Sequence, residues 1–153
     1  MKTPTRKAAS AAVLGTLMTL MTGAALAQAG APLPPVQTSG PVEYLSGGIG
    51  ADESAAMRKA SGQWPLALEF AIQDRQRADF AADVKVRIRD ARGNEVLQAT
   101  SEGPFLLARL APGNYAVEAT LAGQTLQCKV DVKAGQSSRE VFLWAAGADK
   151  TRP

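Results

Sequence analysis

From Trp64 to the end of the chain, apolar and polar residues alternate with a period of two, the pattern of β-strands that bury one face. Turns rich in Gly or Pro interrupt the alternation at roughly ten-residue intervals. Seven strands are predicted, at residues 66–73, 84–89, 95–100, 105–110, 115–121, 126–132 and 140–145. A series of short strands of this kind indicates an all-β domain, an antiparallel β-sandwich of about seven strands.

One short helix is predicted ahead of the strands, over residues 51–61. Gly50 can act as its N-cap, and Asp52 and Glu53 suit the positive end of the helix dipole. Gly62 ends it. The apolar stripe of this helix is thin, so we expect it to be stable only when docked on a larger surface.

Two of the predicted strands are apolar on both faces, at residues 105–110 and 141–144. Their outer surfaces therefore need a cover that keeps them from water. We expect the helix to dock there through Met57, with Trp64 as a further candidate contact. A partner protein is the alternative cover.

The start of the chain has the pattern of a secretory signal peptide, over residues 1–29. Basic residues precede an uncharged run from Ala8 to Ala27, and small residues then suit signal peptidase. Cleavage is predicted after Ala29, with cleavage after Ala27 as the alternative. A retained membrane anchor is the other interpretation, because about 20 apolar residues can span a bilayer. The run is rich in Ala, Thr and Gly, which favours removal.

Removal of the signal leaves three predicted parts. Residues 30–42, rich in Pro, Ala and Gly, are predicted to be a flexible linker. Residues 43–147 form one sandwich domain that includes the short helix, and residues 148–153 are a C-terminal tail. No stretch after the signal is apolar for long enough to cross a membrane.

Charge and histidine content exclude several classes of function. The chain has 17 Lys and Arg against 14 Asp and Glu, and three of the basic residues belong to the signal, so the mature protein is formally neutral. Nucleic-acid binding, which needs a clustered positive field, is not expected. The chain contains no histidine, which removes Ser-His-Asp and Cys-His catalysis and His-ligated zinc.

The single cysteine, Cys128, cannot form an internal disulfide. It stands on the apolar side of a clean alternation, so we interpret it as a small buried hydrophobe. An intermolecular disulfide is the alternative.

No catalytic residue, metal or cofactor is predicted. The loop Gly48-x-Gly50 lacks the Lys-Ser/Thr of a phosphate loop, and the acidic residues after it would repel a phosphate. Asp74, Asp79 and Asp83 could supply oxygens to calcium, but their spacing matches no EF-hand loop. Solvated turn carboxylates are the preferred interpretation.

Four aromatic residues form the candidate binding surface: Tyr44, Trp64, Phe142 and Trp144. Flat rings can hold a sugar or a peptide, because they bury large areas at little cost in entropy. Core packing is the preferred interpretation, since the chain has few other large side chains.

Three segments resemble a known family. They are Val84-x-Val86-x-Ile88-x-Asp90-x-x-Gly93, Gly103-Pro104-Phe105 and Leu110-Ala111-Pro112-Gly113-Asn114-Tyr115-x-Val117-x-Ala119. Together they resemble the carboxypeptidase regulatory-like domain, a match that covers residues 82–145. The resemblance implies a prealbumin-like sandwich, close in type to immunoglobulin-like domains, and no proteolysis. The Gly-rich loop and helix are similar to those of small exported bacterial proteins, which implies the periplasm.

We therefore expect a non-catalytic exported binding or accessory module that engages a protein of the cell envelope. The alternative is a carbohydrate-binding module that uses Trp64 or Trp144. A more remote alternative is a hydrolase of the transthyretin-related type, which the sandwich also resembles. Those enzymes rely on histidine, and this chain has none.

Overall fold

The computed structural model describes residues 30–76 and 78–150, and these form a mostly β structure with two sheets. The predicted signal peptide, residues 1–29, lies outside them. Their elements in chain order are β1 (Gln37–Ser39), β2 (Val42–Gly47), α1 (Ala51–Ser61), β3 (Leu66–Gln73), β4 (Ala78–Phe80), β5 (Val84–Asp90), β6 (Glu95–Ser101), β7 (Phe105–Ala108), β8 (Gly113–Leu121), β9 (Gln124–Val132), β10 (Ser138–Trp144) and a 3-10 turn (Ala148–Lys150). In this part of the chain, no helix has the length and apolar character needed to cross a membrane.

The first sheet has the strand order β1-β2-β7-β3-β10, with β4 added to β3, and the second has the order β6-β5-β8-β9. Neighbouring strands run antiparallel, as predicted, except β3 and β10, which run parallel with Phe70 beside Phe142. The backbone N–H of Ser138 donates to the carbonyl of Pro65 at 2.9 Å, so both strands start at the same end of the sheet. β9 ends beside the start of β10, where Oγ of Ser138 donates to the Asp131 carbonyl at 2.8 Å, so residues 133–137 only cross from one sheet to the other.

The predicted count of seven strands is too low. The seven predicted segments correspond to β3 and to β5 through β10, and the structure adds β1, β2 and β4. β1 lies inside the segment predicted as a flexible linker, residues 30–42. Its sequence, Gln-Thr-Ser, carries no apolar alternation, and it is held as a strand by pairing with β2. The predicted tail also begins inside the fold, because Ala148 is buried.

The main core lies between the two sheets. Inward-facing residues of β3 and β10 meet those of β5, β6, β8 and β9 in one cluster, which contains most of the buried apolar side chains. The rings of Phe70 and Phe142 are 5.9 Å apart, and the ring of Trp144 lies 6.3 Å from that of Phe70. Face-to-face burial of this kind defines a β-sandwich and accounts for the period of two in the sequence.

A second, smaller cluster lies on the outer face of the first sheet, beneath α1. Its buried members are Leu45, Met57, Trp64, Ala67, Phe105 and Leu107. Met57 of the helix is fully buried, so the expected docking of the helix on β7 through Met57 and Trp64 is confirmed.

The start of α1 is fixed by its own side chains. Gly50 occupies the N-cap position without a side-chain hydrogen bond. Oε1 of Glu53 instead accepts a hydrogen bond from the Gly48 N–H at 2.6 Å, and the hydroxyl of Ser54 donates to the Gly48 carbonyl. These contacts satisfy backbone groups ahead of the helix and hold it against the sheet.

Both open sides of the sandwich are tied by side chains. On one side, Oγ of Ser39 donates to the Gln98 carbonyl at 2.9 Å and accepts from the Gln98 N–H at 3.0 Å, which joins β1 to β6. On the other, Nε1 of Trp144 donates to the Gln124 carbonyl and Oγ of Ser138 donates to the Asp131 carbonyl, which joins β10 to β9. The edge strands of the two sheets are therefore held together in pairs.

Candidate functional site

The four aromatic residues proposed as a binding surface are all buried. Tyr44, Phe142 and Trp144 lie in the core between the sheets, with exposed fractions of 8%, 4% and 2%. Trp64 is 6% exposed and lies in the separate cluster beneath α1. The structure therefore brings Phe142 and Trp144 together, with ring centres 6.2 Å apart, whereas Tyr44 lies across the sheet on β2, and the four do not form an exposed aromatic platform.

The one ring of this set on the outer face, Trp64, is also covered from above. The guanidinium carbon of Arg109 lies 4.3 Å from the centre of the Trp64 ring, and Nε of Arg109 lies 3.3 Å from Oε2 of Glu43. The face of the indole is thus occupied by a cation. A sugar ring could stack on Trp64 only after Arg109 had moved away.

Three large apolar side chains are exposed together on the outer face of the first sheet. Val141 and Leu143 of β10 are 57% and 49% exposed, and Phe80 of β4 is 48% exposed. Leu143 and Phe80 both stand opposite Ala71 of β3, one on each side of it. Directly paired residues point to the same face of a sheet. We call the surface formed by Phe80, Ala71, Val141 and Leu143 the apolar patch.

The width of α1 explains why the apolar patch stays open. A helix is about 10 Å across and strands lie about 4.8 Å apart, so one helix covers about two strands. α1 packs on β2 and β7, where it buries Leu107 and Phe105. The expectation that it would also cover residues 141–144 is wrong on the outer face of β10, because the helix lies too far across the sheet.

Three charged side chains surround the apolar patch. The guanidinium of Arg58, in the last turn of α1, lies 5.5 Å from the ring centres of both Phe80 and Phe105. Nη2 of Arg139 lies 3.9 Å from Oε2 of the half-buried Glu69. Among the described residues, Arg58 has no carboxylate within salt-bridge distance. The patch is therefore apolar at its centre and carries one uncompensated positive charge at its border.

The outer face of the second sheet is polar, unlike the apolar patch. It holds a shallow depression of about 830 Å³ lined by polar side chains of β5, β6, β8 and β9. Nε of Arg87 lies 2.9 Å from Oε2 of Glu95, and Nε2 of Gln127 donates to Oε1 of Glu118 at 3.0 Å. These side chains pair with one another across the strands, which is typical of a solvated sheet face.

The acidic residues considered for calcium do not form a metal centre in the part of the chain described. Asp74 and Asp79 line a cavity at the strand ends together with Asp149. Across residues 30–76 and 78–150, no group of three or more Cys, Asp or Glu side chains is placed to hold a metal ion.

Cys128 is half-buried between the sheets, against the main core. Burial, together with the negative charge of Glu140 on the facing strand, raises the pKa of its thiol to about 11. A thiol with such a pKa holds almost no nucleophilic thiolate at neutral pH. This position supports the interpretation of Cys128 as a core residue.

Cys128 is expected to react slowly with iodoacetamide. At pH 8 we expect alkylation of the native protein about a hundredfold slower than that of the urea-unfolded chain, because the thiolate fraction is that much smaller. The folded protein keeps the thiol proton between about pH 9 and 11, where the unfolded chain releases it. The free energy of unfolding should therefore fall as pH rises through this range, with no contribution from this group below pH 9. Equal alkylation rates for native and unfolded protein would contradict this assignment.

The chain matches no known protein family, and no curated protein is significantly similar to it in sequence. The likeness to the carboxypeptidase regulatory-like domain rests on the motifs quoted above, chiefly on residues 110–119.

Sequence reasoning found part of the apolar patch and missed the rest. The apolar outer residues of 141–144 were recognised, and a partner protein was named as one possible cover. Phe80 was missed because it follows the polar segment 74–79, and Arg58 because helix residues near a C-terminus are usually basic. The available signal was Phe80 itself, a lone aromatic residue directly after a connection.

Proposed function

We propose that this chain is a non-catalytic exported binding module of the carboxypeptidase regulatory-like type, which engages another protein of the cell envelope through the apolar patch. The observation that carries the proposal is the joint exposure of Phe80, Val141 and Leu143 on one sheet face. Clustered exposed apolar side chains with a polar border are typical of protein-binding surfaces.

The family assignment is part of this proposal. The hydroxyl of Tyr115 donates to the Ala111 carbonyl at 2.6 Å, four residues upstream. This arrangement is like the tyrosine corner of immunoglobulin-like sandwiches, where a Tyr hydroxyl bonds to the backbone a few residues back. The Leu-x-Pro-Gly-x-Tyr motif that suggested the family thus has a structural role at this turn. The signal pattern supports export, and the likeness of the Gly-rich loop and helix to those of small exported bacterial proteins supports a place in the periplasm.

The edges of the two sheets favour a partner that docks through side chains over one that adds a β-strand to a sheet. Edge strands invite pairing with another chain only when their backbone groups are open. Here the Gln124 and Asp131 carbonyls of β9 accept hydrogen bonds from side chains of β10, and both backbone groups of Gln98 in β6 bond to Ser39, so these groups of the second sheet's edges are occupied. Glu140 faces inward on β10 and adds a charge where a pairing strand would enter, a known protection of sheet edges.

A carbohydrate ligand has less support. That hypothesis depended on Trp64 or Trp144 being exposed, and both are buried. A hydrolase of the transthyretin-related type would need histidine, which the sequence lacks. Protein binding through the apolar patch is therefore the function that the surface supports best.

Photo-crosslinking in the living cell tests the proposal. A photoreactive amino acid at position 143 should give an adduct of defined mass, whereas one at position 129, on the exposed outer face of the second sheet, should give none. Val141→Asp should remove the adduct formed from position 143. Because Val141 is 57% exposed, this substitution should change the free energy of unfolding by less than about 1 kcal/mol.

Two results would contradict the proposal. One is an equal yield of adducts from positions 143 and 129, which would indicate random collision. The other is an adduct from position 143 that survives Val141→Asp in a folded protein, since a partner seated on the patch cannot tolerate a buried unpaired carboxylate there.

A further inference from the structure

Arg58 lies at the border of the apolar patch, against two aromatic rings. Its guanidinium lies 5.5 Å from the ring centres of Phe80 and Phe105, so it is in contact with two aromatic side chains at once. Stacking on aromatic faces uses the flat surface of a guanidinium and leaves the N–H groups at its edge free. Those N–H groups can bind a carboxylate with two parallel hydrogen bonds.

The two arginines at the border of the patch differ in their pairing. Arg139 lies 3.9 Å from Glu69, which stands opposite Val141. Arg58 faces two rings and pairs with no carboxylate among residues 30–76 and 78–150. The positive charge of Arg58 is therefore left without an acidic partner there, beside the exposed side chain of Phe80.

We propose that the partner segment that docks on the apolar patch is acidic and apolar, with a carboxylate that binds Arg58 and neighbouring apolar side chains that cover Phe80, Val141 and Leu143. This inference rests on the proposed function and adds the chemistry of the partner. An Arg already stacked in place loses little entropy when it binds a carboxylate, so the pair contributes to specificity as well as affinity.

A protein segment fits the surface better than an anionic membrane does. Attraction to anionic lipid grows with the number of Lys and Arg near the surface, and the patch has two, one of them beside Glu69. Beside Phe80, the cavity at the end of the sheet is lined by three acidic residues, Asp74, Asp79 and Asp149, against Lys150, so its net negative charge would be repelled by lipid headgroups. A peptide can place one carboxylate at Arg58 and avoid these acids.

The test uses two synthetic peptides of equal length, in which Leu alternates with Glu in one and with Lys in the other. Each peptide is titrated into isotope-labelled protein that has been expressed as the full chain and exported. The Leu-Glu peptide should shift the NMR signals of Arg58 Nε–Hε and of the amides of 80, 141 and 143. Arg58→Gln should weaken its binding about fivefold, and Arg58→Lys should weaken it less. The matched control, Arg92→Gln in the exposed turn after β5, should leave binding unchanged.

Several outcomes would overturn the inference. In the peptide titrations, these are equal binding of the two peptides, NMR shifts that avoid the patch, and binding that Arg58→Gln leaves unaffected. Tighter binding to phosphatidylglycerol vesicles than to either peptide would also overturn it, as would concentration-dependent NMR shifts of the patch in the protein alone, which would indicate a second copy. If the crosslink from position 143 persists in Arg58→Gln at full yield, the acidic partner is wrong while protein binding stands. If position 143 gives no crosslink at all, protein binding itself is wrong.

Discussion

Trp144→Ala is expected to lower the free energy of unfolding by about 3 to 5 kcal/mol, a large part of the roughly 5 to 15 kcal/mol that is typical of native proteins. Trp144 is 2% exposed, and its ring packs against those of Phe70 and Phe142 at 6.3 and 6.2 Å. Its indole N–H also ties β10 to β9 through the Gln124 carbonyl. The substitution leaves a cavity and releases this edge, so Tm should fall by roughly 15 °C in a thermal scan.

Two variants separate the causes of that loss. Trp144→Phe keeps an aromatic ring in the core and removes the indole donor, so it should cost only about 1 to 2 kcal/mol. Leu143→Ala, next in the chain but 49% exposed, should cost less than about 1 kcal/mol. A loss below 1 kcal/mol for Trp144→Ala would mean that this ring is not part of the core.

The strands that alternate strictly were predicted from the sequence because their pattern has one physical cause. Val84, Val86 and Ile88 all face the core between the sheets, and the polar residues between them face water. The docked helix was predicted from a strand that breaks this alternation. Phe105 and Leu107 face outward on β7, and their apolar character required a cover, which α1 supplies.

The missed features depend on contacts between distant segments. β1 is a strand because β2 lies beside it, and its own residues carry no strand pattern. The parallel pairing of β10 with β3 joins segments far apart in sequence, as in the hydrogen bond between Ser138 and Pro65, which are 73 positions apart. Alternation along one segment contains no information on the direction of its neighbour.

In the candidate site too, the sequence predicted some features, while others depend on contacts between distant segments. The apolar character of both faces of residues 141–144 indicated that one face would need a cover, but it left open which face that was, and it could not place Phe80 or Arg58 beside Val141 and Leu143. Those two come from β4 and α1, which meet β3 and β7 only in the folded chain. The sequence also left open whether Trp64 and Trp144 would be buried or exposed, because an aromatic residue can pack in a core or form a binding surface.

Gly103→Ala is the second substitution with a large expected effect, about 3 kcal/mol of destabilisation. A methyl group at position 103 would overlap the carbonyl group of Gly47, at the end of β2. The obstacle is backbone, which cannot rotate away as a side chain can. Ser101 holds the loop in place by donating from Oγ to the Gly103 carbonyl at 2.8 Å, so the loop cannot retreat freely either.

The damage should spread to the docked helix, because Gly47 leads directly into the loop that Glu53 and Ser54 fix ahead of α1. We expect faster amide hydrogen exchange in α1 and β7, along with a lower midpoint in urea. Gly62→Ala is the matched control: Gly62 has φ −69° and open space around its Cα, so alanine there should be neutral or stabilising by about 0.5 kcal/mol. If both variants are as stable as the parent, the close approach of the 103 loop to β2 is wrong, and with it the rigid support for α1 beside the apolar patch.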